Sequence, residues 1–90
     1  MKMINVGEAS LAFYLDDGSI IRSNVYGHIT SNHAIFNLEA LLQHLATVMN
    51  DSKEKYFFIQ SLENMRYLVR KDSIKKVEVV AKDKFIEYRK

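Results

Sequence analysis

The chain has no cysteine, no proline and no tryptophan, and only three of its 90 residues are glycine. Without cysteine there is neither a disulfide nor a thiolate metal site. A secreted domain this small ordinarily depends on such staples, so the expected setting is cytoplasmic. Without proline, every backbone N–H is available to a sheet ladder and rigid turn makers are missing. Gly7, Gly18 and Gly27 stand alone in the chain, whereas a phosphate cradle needs clustered glycines. No apolar run approaches the roughly 20 residues of a membrane-spanning helix. The opening Met1–Glu8 also lacks the apolar core of a signal peptide.

What is present is a globular composition, 48% hydrophobic and 27% charged, which a disordered tail does not have. Residues 1–90 suit a single domain. Folding at this size removes only about 60–65% of the unfolded chain's surface from water. The core is therefore expected to be thin, and a partner subunit would add to it. The net charge of +2 is unevenly spread. Residues 1–50 carry Lys2 and Arg22 against Glu8, Asp16, Asp17 and Glu39, a balance of −2. Residues 51–90 carry eleven basic side chains against seven acidic ones, a balance of +4. That asymmetry falls well short of the dense basic face of a dedicated nucleic-acid binder.

Apolar periodicity gives the element order. Leu11–Leu15 is a β-forming run stopped by Asp16-Asp17-Gly18, and Asp-Gly between two apolar runs predicts a hairpin. Its strands are expected at 9–15 and 19–29, with Gly27 marking a bulge or bend. Ile35, Leu38, Leu41, Leu42, Leu45, Val48 and Met49 recur at helical spacing. They predict a helix over 37–50, capped by Asn37, with Glu39 placed to suit the helix dipole. Tyr56-Phe57-Phe58-Ile59 is apolar on both faces and predicts a central strand. A turn follows at Leu62-Glu63-Asn64, where Asn64 suits a left-handed conformation. Strands are then expected at 65–70 and 74–81. Lys82-Asp83 would link the last of these to Phe85–Tyr88, either a sixth strand or a tail. The expected fold is α+β: one helix on a curved, mostly antiparallel sheet of five or six strands, in the order ββαββ(ββ).

Chemistry is hard to find in this pattern. His28, His33 and His44 hold no pair at i,i+4 and no carboxylate at ligand spacing, so no metal is expected. Adjacent strand residues point to opposite faces, so Asp16 and Asp17 do not converge on one substrate atom. Their expected work is the turn. There is no Gly-x-Ser-x-Gly elbow and no serine beside an evident base. Neither an enzyme nor a cofactor is expected.

The second half offers more. On a strand, Arg66 and Arg70 share a face with Leu68 while Tyr67 points away, and Lys71, Lys75 and Lys76 follow at the next bend. Tyr56, Phe58 or Tyr67, if exposed beside these cations, would form a platform on which single-stranded bases stack. The interleaved Glu63, Asp72, Glu78, Asp83 and Glu87 favour an ordinary solvated face instead. Association is the other candidate. A sheet with a single helix leaves a face or an edge uncovered, and Tyr56–Ile59 needs cover on both sides.

The Leu15-Asp16-Asp17-Gly18 turn, the Gly27 bend and Leu68–Val77 resemble small bacterial β-rich proteins of unknown function, some with a loosely Sm-like strand pattern. The resemblance spans about residues 11–80 and implies a strongly bent sheet or partial barrel. In this chain the helix lies between strands and not ahead of them. No loop matches the RNA-contacting motifs of the Sm fold, so the resemblance carries over no site residue. The expectation is a non-catalytic interaction module that forms a homo-oligomer or docks on another protein, through Tyr56, Phe58 and Tyr67. The alternative is a weak nucleic-acid binder using Arg66, Arg70, Lys71, Lys75 and Lys76.

Overall fold

The computed structural model describes residues 2–25, 28, 35–81 and 85–87. The fold is α+β, with one helix and three small antiparallel sheets among these residues. Strands β1 (Lys2–Asn5), β2 (Ala9–Leu15), β3 (Ile20–Asn24) and β4 (Ile35–Asn37) precede the helix α1 (Leu38–Asn50). Strands β5 (Tyr56–Gln60), β6 (Arg66–Arg70), β7 (Ile74–Ala81) and β8 (Phe85–Glu87) follow it. The sheets run β4-β1-β8, β3-β2-β7 and β5-β6.

The single sheet of five or six strands is therefore not what forms. Lys2–Asn5, unassigned by the sequence reading, pairs with both β4 and β8. Ile4 and Val6 are buried two residues apart, a period-two signal in a run too short to stand out. Ile35 belongs to β4 and not to the helix. Phe85–Glu87 is a strand, but it pairs with β1, so it forms no hairpin with β7 across Lys82-Asp83. β7 pairs instead with β2. The second hairpin strand stops at Asn24, and the Gly27 bend lies outside the described residues.

Local chemistry explains the rest. Gly18 takes φ +89°, which its missing Cβ allows. The turn closes with Ser19 donating its N–H and hydroxyl to Asp17 Oδ1 at 2.9 and 2.6 Å. These bonds, the hydroxyl's first, hold the Asp17 carboxyl below its usual range. Asn37 caps α1, accepting from the Ala40 N–H at 3.2 Å. Leu41 and Leu45 point inward and join Ile4, Val6, Leu11, Phe13, Ile21, Val25, Phe36, Phe57 and Ile59 in one core. No helix among the described residues is long and apolar enough to cross a membrane.

The β5-β6 hairpin is hydrogen-bonded to the middle sheet beside its turn. Ser61 forms an antiparallel bridge with Ser23, and the Leu62 N–H donates to the Arg22 carbonyl at 2.9 Å. Tyr56–Ile59 is accordingly not a central strand with cover on both sides. Phe57 and Ile59 are buried while Tyr56 and Phe58 are exposed.

Candidate functional site

Buried Ser61 organises the tip of the hairpin. Its hydroxyl oxygen accepts from the N–H groups of Glu63 and Met65 at 3.3 and 3.2 Å. Its own N–H donates to the Met65 carbonyl at 2.8 Å. Asn64 takes the left-handed conformation, φ 63°, as its short polar side chain permits. The tight turn leaves Leu62 and Met65 exposed at its end.

The register then fixes two faces. Tyr56 lies opposite Arg70, Phe58 opposite Leu68, and Gln60 opposite Arg66. Paired residues of antiparallel strands share a face, so these six form the outer side of the hairpin. At its centre Phe58 is 54% exposed and Leu68 69%. Tyr56, at 52%, completes the apolar row. No carboxylate stands among these six residues; the only charges are Arg66 and Arg70.

Of the candidates read from the sequence, Tyr56, Phe58, Arg66 and Arg70 come together. Tyr67 does not. It lies opposite Ile59 on the other face of the hairpin, where it is 38% exposed. Lys71 sits in a 3-10 turn (Lys71–Ser73) and donates from Nζ to the Asp51 carbonyl at 3.2 Å. Lys75 and Lys76 belong to β7, in the middle sheet. Lys76 lies 3.2 Å from Glu78 and 5.0 Å from the centre of the Tyr14 ring. Arg70 itself reaches Asp72 at 3.2 Å, with both side chains solvated, an ion pair of little energetic weight. The five cations thus form no continuous track. Leu62 and Met65 were missed by the sequence reading, because only the folded turn shows which way they point.

Elsewhere the structure offers less. A groove of about 440 Å³ runs between the end of α1 and the 3-10 turn, with Asp51, Glu54, Lys55 and Lys71 among its lining residues. Its charges are mixed and partly compensate one another. No cluster of three or more metal-ligating side chains occurs among the described residues, and His33 lies outside them. The His28 ring stacks on Phe57 at 5.6 Å and tilts against Phe13 at 6.0 Å. Burial first, and then the neighbouring His44, pushes its imidazole below the ordinary histidine range. Compared with known protein families, curated proteins and solved structures, the chain matches none.

Proposed function

We propose that this chain is a non-catalytic interaction module that self-associates through the outer face of the β5-β6 hairpin. The exposed Phe58–Leu68 cross-strand pair carries this reading. Two large apolar side chains held side by side in water lose the burial that rewards folding, and a partner surface restores it. The surrounding Tyr56, Arg66 and Arg70 are residue types enriched at protein interfaces, while Lys, Asp and Glu, which are depleted there, are missing from its six cross-strand positions. The lack of cysteine suits a cytoplasmic setting. The series β7-β2-β3, continued through the Ser23–Ser61 bridge to β5 and β6, supports a bent sheet or partial barrel.

Light scattering across a range of protein concentration tests the reading. The wild-type chain is expected to associate, and Phe58→Glu or Leu68→Glu to return it to monomer with an unchanged circular dichroism spectrum. A strict monomer, or an assembly indifferent to both substitutions, would overturn it.

A second reading rests on Tyr56 and Phe58 standing two residues apart with Arg66 and Arg70 on the adjacent strand. Such a surface stacks bases and meets phosphates, the arrangement of a weak single-strand binder. Salt-sensitive retention on an oligonucleotide, lost on reversing Arg66 and Arg70 while the molar mass stays the same, would favour it.

A further inference from the structure

The charge asymmetry of the chain finds a place in the fold. The solvent side of α1 runs through Glu39, Leu42, Gln43, Ala46 and Asn50, all exposed and spaced as one helical stripe. A helix face in contact with water is ordinarily rich in charge. Helix α1 has no lysine or arginine, and Glu39 is its one acidic residue. Leu42 remains 41% exposed, and the small Ala46 one turn on lets another surface approach closely. The hairpin face is the complement: apolar at its centre, and cationic where it is charged.

These two surfaces cannot meet within one chain. Leu41 and Leu45 of the helix and Phe57 and Ile59 of the hairpin belong to the same core, so the outer sides of both elements point away from it. Two hairpin faces pressed together would bring four arginines to one contact, and the nearby Asp72 is already engaged with Arg70, which opposes a face-to-face dimer. Hairpin on helix has no such conflict, and the dimensions agree. Thirteen helical residues extend about 20 Å, and five strand residues about 17 Å.

We infer that the self-association proposed above is head-to-tail, the hairpin face of one copy docking on the exposed face of α1 in the next. Phe58 and Leu68 pack against Leu42 and Ala46, and Arg66 faces Glu39. A contact between two different surfaces leaves one of each free at the ends, so assembly continues to a ring or an open chain. The inference rests on the self-association reading.

Charge exchange on the full chain tests it, with light scattering as the readout. Arg66→Glu alone and Glu39→Arg alone each weaken association roughly tenfold or more, because like charges then meet. An equimolar mixture of the two variants, or both changes in one chain, restores it. That restoration also rules out misfolding as the cause of either loss. Association abolished by Leu68→Glu but indifferent to Glu39→Arg and Leu42→Glu would overturn the head-to-tail arrangement while leaving the hairpin as the contact face. A wild-type chain that stays monomeric at every concentration would overturn both.

Discussion

Two antiparallel units of this chain present opposite solutions on their outer faces. On the middle sheet, the Tyr14 hydroxyl donates to Glu78 at 3.1 Å, and Lys76 lies 3.2 Å from the same carboxylate. Ala12, set between Arg22 and Glu78 by the register, keeps 1% of its surface exposed. Long polar side chains lie over this small apolar one, so the centre of the face is covered, while Ile20 opposite Tyr14 and Val80 opposite Ser10 stay 48% and 36% exposed toward its ends. On the β5-β6 hairpin the central outward pair, Phe58 and Leu68, is large and apolar, with Arg66 opposite Gln60 and Arg70 reaching Asp72 of the following turn. One outward carboxylate, Glu78, gathers the polar cover of the middle sheet; β6 has arginine at both of its outward charged positions. The centre of the middle sheet's face is covered within the chain, whereas the centre of the hairpin face is left open.

The largest effect expected from this contrast lies between neighbours on one strand. Ile59 is fully buried and Phe58 is 54% exposed. Ile59→Ala should cost about 2–5 kcal/mol in urea unfolding of the dissociated chain. Phe58→Ala should change the same measurement by less than about 0.5 kcal/mol. Equal losses at the two positions would make the outer face structural, and the contact reading would fall with that result. A smaller effect follows from giving the hairpin what the middle sheet has. Gln60 stands opposite Arg66, so Gln60→Glu supplies a cross-strand ion pair worth about 0.2–1 kcal/mol. The monomer should gain slightly in stability while association weakens, because Arg66 is then engaged within its own chain. Unchanged association would show that Arg66 takes no part in the contact.

The sequence made the local features of both regions readable and left their assembly hidden. The Asp16-Asp17-Gly18 turn, the Asn37 cap, the helical stripe and the left-handed Asn64 each depend on residues within a few positions of one another. The alternation in β6 likewise places Arg66, Leu68 and Arg70 on one side without any tertiary knowledge. Pairing partners are another matter. Nothing local to Lys2–Asn5 or Phe85–Glu87 announces that they meet, because that contact joins segments from opposite ends of the chain. The apolar run Tyr56–Ile59 misled for a related reason: periodicity shows that Phe58 faces opposite to Phe57, but not whether anything lies over it. The candidate site is that undetermined side.

The smallest effects concern pH, and they separate the junction of the two units from the covered face. His28 sits at the junction, its ring against Phe13 of β2 and Phe57 of β5. Its imidazole is held below the ordinary value of 6.5 by burial and then by His44. The unfolded chain therefore takes up a proton near 6.5 that the folded chain resists. Stability is complete above that pH and declines as pH falls toward the lowered value. Glu78 acts in a different window. Hydrogen bonding to Lys76 first, and then to Tyr14, holds its carboxyl below 4.5, so the stability it supplies is present above 4.5 and lost as pH falls beneath it. Urea midpoints on either side of each window resolve the two. His28→Phe, which keeps a ring between Phe13 and Phe57, should flatten the upper decline and leave the acid limb intact. Glu78→Gln should shrink the acid limb without abolishing it, because Asp17 is also held below its ordinary value by its bonds from Ser19. An upper decline that survives His28→Phe would locate the titrating group away from the junction.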